Sequence, residues 1–210
     1  QSKQQTMEAF GAEVVVEESY GKGITPELIE RMKNRALSLC DTSNAYYADQ
    51  FGSPDVTLGY EPMGQEIANS LDRNIDIFCA SVGTGGAIMG AWQGLVTSNT
   101  KVSVVAFEPL QSPFLTTGKG GAHKVEGIGV GFYPPFLDRA ALSDIRTIDQ
   151  DHGFSMCRRL AKEEGIFCGA STGLNVVGAI ELAKEMKPEQ RVVTLACDSG
   201  LKYLGGHIYA

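Results

Sequence analysis

Three features of this 210-residue sequence predict an α/β fold with a mostly parallel, twisted sheet and helices on both faces. Strand-like and helix-like stretches alternate along the chain. One continuous apolar run, Ile75 to Val82, has the composition of a strand buried on both faces. That run passes through Gly83, Thr84, Gly85 and Gly86 straight into a helix of small residues, Ala87 to Leu95, and on to a second apolar strand, Val102 to Phe107. Strand, glycine turn, helix and strand make a βαβ unit, whose two strands must be parallel.

The remaining elements follow from periodicity and punctuation. An opening helix places Met7 and Phe10 on one face and stops at Gly11, in the position of a C-terminal cap. The run Glu13 to Val16 after it is expected to be a strand. Thr25 and Pro26 form an N-cap and first-turn pair for a helix in which Leu28, Ile29, Met32, Ala36 and Leu39 recur at helical spacing. A loop from Ala45 to Tyr60 leads to a short helix, Gln65 to Leu71. Beyond the βαβ unit come a strand, Asp144 to Ile148, a helix from His152 to Glu164 ending at Gly165, a helix from Ser171 to Met186 with Ser171 as its N-cap, and a strand, Arg191 to Leu195. No internal repeat and no low-complexity linker interrupts this order.

Composition excludes several functions. At 43% hydrophobic residues the chain can bury one sizeable core or two small lobes. It has no apolar run of about 18 residues, as a membrane span needs, and residues 1–20 lack the pattern of a secretion signal. The five cysteines are odd in number, scattered and never spaced C-x-x-C, which argues against a disulfide frame and a zinc site and makes a reducing cytoplasm the expected setting. His123, His152 and His207 share no ligand spacing, so they read as ordinary polar residues and no metal is expected. A net charge of −7 with no basic patch speaks against a nucleic-acid partner. Gln1 and Ser2 fall inside the opening helix without a capping residue before them, so the start is expected to be a cut.

In open parallel sheets, ligands sit beyond the carboxyl ends of the strands. Three glycine-bearing loops are expected there: Gly83 to Gly86, Gly127 to Gly131, and Asp198 to Gly200. Successive glycines let backbone N–H groups turn toward one point, and the following helix adds positive partial charge, so a phosphate is the fitting ligand of residues 83–86, with the Thr84 hydroxyl as a further donor. The same residues would also serve a tight turn chosen only for close helix–sheet packing. A dinucleotide motif starting at Gly83 would need glycine where Ile88 stands, and no P-loop motif occurs. Gly169, Ala170, Ser171, Thr172 and Gly173 match the G-x-S-x-G elbow of hydrolases, and Asp198 and His207 follow in the right order. Against a Ser171 hydrolase, the apolar stretch before it, Ile166 to Cys168, is short, and one strand alone remains to position an acid and a base. Asp198 and Ser199 read by themselves as a turn or a helix cap.

Four segments in order resemble the cysteine synthase family of pyridoxal-phosphate enzymes, which have the tryptophan synthase β-like fold called fold-type II. They are SVGTGGAIMG (81–90), VEGIGVGFYP (125–134), EEGIFCGASTG (163–173) and DSGLKYL (198–204). The resemblance implies that Gly83, Thr84, Gly85 and Gly86 hold the cofactor phosphate, that the Ser199 hydroxyl meets the pyridine nitrogen, that Gly127 borders the cofactor, and that Gly129 leaves room for substrate. Gln50, in DQFGSP, stands where the family has a glutamine near the substrate carboxylate, although it also reads as a plain loop residue. A neutral hydroxyl at the ring nitrogen favours β-elimination and β-replacement over transamination.

The implied activity is conversion of O-acetylserine and sulfide to cysteine, with cystathionine β-synthase or serine/threonine dehydratase chemistry as close variants and a non-catalytic module that binds pyridoxal phosphate or a peptide as another. The implied partners are a small amino-acid substrate, a second copy in a homodimer, and the C-terminal peptide of a partner enzyme. Residues 1–60 would be the remnant of a smaller domain with its crossover, and 61–210 the larger cofactor domain. Two departures stand out. Ala87 replaces the threonine that usually ends the phosphate loop, removing a donor worth about 1 kcal/mol, and FGSPDV (51–56) differs from the family's asparagine-containing form. None of the ten lysines stands in the motif of the family's cofactor-anchoring lysine, so the resemblance assigns this chain no catalytic residue and implies that alone it does not run the full reaction.

Overall fold

The computed structural model describes residues 2–20 and 26–209. They form two compact units, Gln1–Asp49 and Gln50–Ala210.

The first unit contains helices α1 (Ser2–Ala9) and α2 (Pro26–Ser43). Helix α1 ends as expected, at Gly11 with φ +88°, where the N–H of Ala12 reaches back to the Met7 carbonyl (3.0 Å). The strand expected at Glu13 to Val16 does not form. Residues 12–19 have no regular structure, and Val15 and Val16 are exposed. β-branched residues favour a strand only where a neighbour accepts their backbone hydrogen bonds, and no strand of this unit lies beside them among the described residues. Helix α2 forms where expected, but of its expected apolar face Leu28 alone is buried, Met32 and Leu39 being exposed; Arg31 donates to the Glu18 carbonyl (2.8 Å). The cap expected at Thr25 lies outside the described residues.

The second unit carries a four-stranded sheet in the order β3-β2-β1-β4, with every pairing parallel. Its elements are α3 (Asp55–Leu58), α4 (Glu61–Ser70), β1 (Ile77–Ser81), α5 (Gly86–Thr97), β2 (Ser103–Pro109), α6 (Phe114–Thr117), β3 (Asp144–Ile148), α7 (Gln150–Arg159), α8 (Ala170–Glu185) and β4 (Val192–Thr194). Alternate residues of a strand point to opposite faces, and this separates two cores. Phe78, Ala80 and Val82 pack with Ala68 of α4 and Ile88, Met89 and Leu95 of α5 on one face. Cys79, Val105 and Phe107 pack with Phe154 and Cys157 of α7 and Leu174 and Leu182 of α8 on the other. Helices therefore cover both faces, as expected. A methyl group on Gly64 of α4 would overlap the Ala91 carbonyl of α5, so the two helices touch backbone to backbone.

Several boundaries differ from expectation for local reasons. Helix α4 starts four residues early, at Glu61, because Pro62 suits a first turn. The Asp149 carboxylate caps α7, accepting from the N–H groups of Asp151 (2.8 Å) and His152 (3.3 Å), and the helix's last turn, Leu160–Glu164, widens to π geometry before Gly165. The N-cap of α8 is Gly169, not Ser171, which lies inside the first turn and is 7% exposed. The short apolar stretch Ile166 to Cys168 makes a single bridge, Cys168 to Ser199.

Candidate cofactor site

Strands β1 and β4 run parallel and adjacent, from Ile77 opposite Val192 to Cys79 opposite Thr194, so the chain leaves both at the same edge of the sheet. From β1 it enters the glycine tetrad. Gly85 has φ +86°, a left-handed conformation that glycine adopts at no steric cost, and a Cβ there would sit 2.8 Å from the Leu137 amide nitrogen. Gly83 faces the Gly127 carbonyl, and Gly86 lies against the Val56 side chain. The Thr84 hydroxyl accepts the Gly86 N–H (3.2 Å), which leaves its own proton to donate. Helix α5 then runs for 12 residues with no acidic residue in its first turn, so its N-terminal partial charge is not neutralised.

The segment 127–131 folds over the end of β1. The Gly129 N–H donates to the Val82 carbonyl (3.1 Å), and Phe136 N–H donates to the Thr84 carbonyl (3.3 Å). Gly127 has φ +85° and would meet nothing within 4 Å if it carried a Cβ, so it borders open space beside the tetrad. Phe51 packs on Phe132 with ring centroids 5.7 Å apart, which brings the neighbouring, exposed Gln50 to this side of the unit.

The chain leaving β4 is held by side chains. Thr172 accepts the Cys197 N–H (2.9 Å), and Tyr203 donates to Asp198 Oδ2 (2.9 Å). The Asp198 carbonyl accepts the Gly169 N–H (3.1 Å). Ser199 is exposed and caps the short turn Gly200–Tyr203, accepting the Leu201 N–H (3.3 Å). Its hydroxyl proton remains available to a ligand. Asn175 of α8, fully buried, joins the two strand ends: its Oδ1 accepts the Ser81 N–H (2.7 Å), and its Nδ2 donates to the Leu195 carbonyl (3.0 Å). Two buried polar atoms at these ends, Ser81 Oγ and Asp198 Oδ1, have no protein partner among the described residues.

Burial pushes Cys79 and Cys157 up to about 12, and it also raises Cys168 and Cys197, so none is a thiolate nucleophile at neutral pH. Burial and the bond to Asp198 hold the Tyr203 phenol above its ordinary range. No hydrolase triad assembles: Ser171 is buried, His207 packs edge-on to Phe154 with centroids 4.7 Å apart, and Asp198 is engaged by Tyr203. Among the described residues no cluster of His, Cys, Asp or Glu could hold a metal ion, and no helix is long and apolar enough to cross a membrane.

Sequence reasoning had marked residues 83–86, 127, 129 and 199 and the neighbourhood of Gln50. Asn175 is not among the residues the sequence marks. Asn175 left a faint signal, a lone amide in the otherwise small and apolar run GLNVVGAI (173–180). Val56 and Leu137, which wall the tetrad, left none.

An open parallel sheet whose glycine loops crowd one strand edge places the chain among the α/β proteins that bind ligands at such an edge. The chain belongs to the pyridoxal-phosphate-dependent enzyme family, whose model matches residues 1–198. It is 33% identical over 214 residues to a cysteine synthase of Staphylococcus aureus, strain Mu50, covering 100% of this chain and 66% of the relative. It is 34% identical over 207 residues to a probable cysteine synthase of Bacillus subtilis, strain 168, covering 97% and 65%. The chain thus spans just under two thirds of the length of these relatives. Among solved structures it is similar to the cysteine synthase of Entamoeba histolytica (TM-score 0.86, 30% identity, 99% of this chain and 61% of that one). It is also similar to the O-acetylserine-dependent cystathionine β-synthase of Helicobacter pylori (TM-score 0.88, 33% identity, 99% and 66%).

The cofactor of this family is pyridoxal phosphate, and the residues present fit it. The Thr84 hydroxyl keeps a proton to donate, the start of α5 carries no acidic residue to repel a phosphate, Gly127 leaves space beside them, and the loop from the neighbouring strand presents an exposed hydroxyl.

Proposed function

We propose that this chain forms the cofactor cradle of a cysteine synthase-like enzyme, which replaces the β-substituent of O-acetylserine with sulfide. The observation that carries the reading is the tie between the two strand ends through Asn175, which fixes the glycine tetrad and the Ser199 loop at one edge of the sheet.

When bound, pyridoxal phosphate supplies an electron-withdrawing ring that eases loss of an amino acid's β-substituent. In this reading the backbone of Gly83, Gly85 and Gly86 and the Thr84 hydroxyl hold the phosphate. Ser199, whose O–H is left as a hydrogen-bond donor, would meet the ring nitrogen with a neutral partner. Gly127 would leave open space beside the tetrad for the substrate, Gly129, whose side-chain position is filled by His123, would border that space through its backbone alone, and the substrate carboxylate would fall to Gln50. Ala87 contributes no hydroxyl where the family has one. No catalytic residue is assigned to this chain, because none of its lysines stands in the anchoring motif. Residues 1–60 belong in this reading to the smaller domain and its crossover, a homodimer is the working assembly, a partner enzyme's C-terminal peptide can occupy the same cleft, and the cytoplasm is the compartment.

The test is an assay of the full-length protein with O-acetylserine and sulfide. The expected result is cysteine formation that falls at least about tenfold in Gly85→Ala together with cofactor affinity. A protein that takes up the cofactor yet makes no cysteine from these substrates contradicts the reading.

A further inference from the structure

His123 lies outside every role assigned above, yet both of its ring nitrogens are engaged around the segment that covers the tetrad. Nδ1 lies 3.3 Å from the Val125 backbone nitrogen and Nε2 lies 3.0 Å from the Gly129 carbonyl oxygen. An N–H can meet only a lone pair, and a carbonyl can meet only a proton. The two partners therefore fix one neutral tautomer, with the lone pair on Nδ1 and the proton on Nε2. The ring also fills the place of a side chain at Gly129, where a Cβ would come within 2.6 Å of Nε2.

The covered segment has little conformational preference of its own. Gly127, Gly129 and Gly131 all have left-handed φ, +85°, +63° and +76°, and three such glycines in five residues leave the backbone free to move unless it is pinned. Both pins fall on Gly129. Its N–H is held by the Val82 carbonyl, one residue before the tetrad, and its C=O is held by His123. With both polar groups held, the peptide planes on either side of Gly129 are held, and the Gly127 carbonyl, two residues before, lies against Gly83.

We propose that His123 is a positioning residue: by donating from Nε2 to the Gly129 carbonyl it holds Gly127–Gly129 against the glycine tetrad and thereby sets cofactor affinity. The inference rests on the cofactor reading given above. It assigns the effect to the Gly129 bond and treats the Val125 bond as the device that selects the tautomer.

The experiment compares the full-length protein with His123→Ala, His123→Asn and His123→Gln, measuring pyridoxal-phosphate affinity by titration and backbone amide exchange residue by residue. Asparagine can accept the Val125 N–H from the same atom position but cannot reach Gly129, whereas the glutamine amide reaches as far as Nε2 and can donate. The expected result is an affinity about tenfold weaker in the alanine and asparagine variants, from the lost bond and the freed segment. Faster exchange confined to residues 127–131 and substantial recovery of both readouts with glutamine are expected as well. Parent-like affinity in the alanine variant overturns the inference, as does loosened exchange throughout β1 and α5, which would make the role general to the fold. Rescue by asparagine overturns the assignment to Gly129. A parent protein that takes up no pyridoxal phosphate fails the cofactor reading itself, and the inference falls with it.

Discussion

The loop after β1 excludes side chains, whereas the loop after β4 is organised by them. Methyl groups on Gly83, Gly85 or Gly86 would run into Gly127, Leu137 or Val56, so the first loop is defined by how closely backbone approaches its surroundings. From Leu195 to Asp198, by contrast, position comes from Asn175, Thr172 and Tyr203 through hydrogen bonds. Steric exclusion is all or none, while a hydrogen-bond network loses its parts one at a time. Substitutions in the two loops should therefore differ in kind as well as in size.

The largest effect is expected at Gly85→Ala. A left-handed φ and a close approach to Leu137 backbone together cost about 3 kcal/mol of stability, read from the urea midpoint, and cofactor uptake is lost with it. A midpoint within about 0.5 kcal/mol of the parent would break the contrast. Next comes Asn175→Leu, which leaves the part-buried Ser81 N–H and Leu195 carbonyl without their partner at a cost of about 1 to 2 kcal/mol. Because Asn175 serves both loops, amide exchange should quicken at Ser81 and around Leu195 together. Quickening at one strand end alone would show that the ends are held independently.

How much of this was open to sequence reading depended on how local each cause was. The tetrad was readable because strand, glycine turn and helix are contiguous, and β3 was read to the residue. Asn175 was not, since its partners lie 94 and 20 residues away and only the folded sheet brings them together. The run Glu13 to Val16 had strand-forming composition without a paired neighbour, and composition does not supply one. Ser171 carried the better capping side chain, but Gly169 is packed against the Asp198 carboxylate and the Tyr203 ring, so the cap position had to be glycine. His123 read as an ordinary polar residue because its role lies in which partner each ring nitrogen meets.

Smaller effects sharpen the comparison. Tyr203→Phe removes the donor to Asp198 Oδ2 while keeping the ring, and should cost about 1 kcal/mol with a measurable weakening of cofactor binding. A change in stability with no change in binding would separate the Asp198 anchor from the Ser199 loop.

The end of β3 offers another side-chain cap for comparison, at Asp149. Burial raises the Asp149 carboxyl, but the N–H groups of Asp151 and His152 and the Gln111 amide lower it further, and the net result lies below the ordinary value of 3.8. A depressed folded value contributes stability above 3.8 that disappears as pH falls through the folded value. Asp149→Ala should cost about 1 kcal/mol at neutral pH, and its midpoint should converge on the parent's as the solution is acidified below that range. A gap that stays constant with pH would assign the effect to packing.

The central claim is that the loops after β1 and β4 form one site, and a residue-resolved amide titration of the full-length protein with pyridoxal phosphate tests it most directly. The account expects resonances of residues 83–88 and of Ser199 and Gly200 to shift along one binding curve, while inorganic phosphate moves only the former. Shifts confined to one loop, or two loops following different curves, would contradict it.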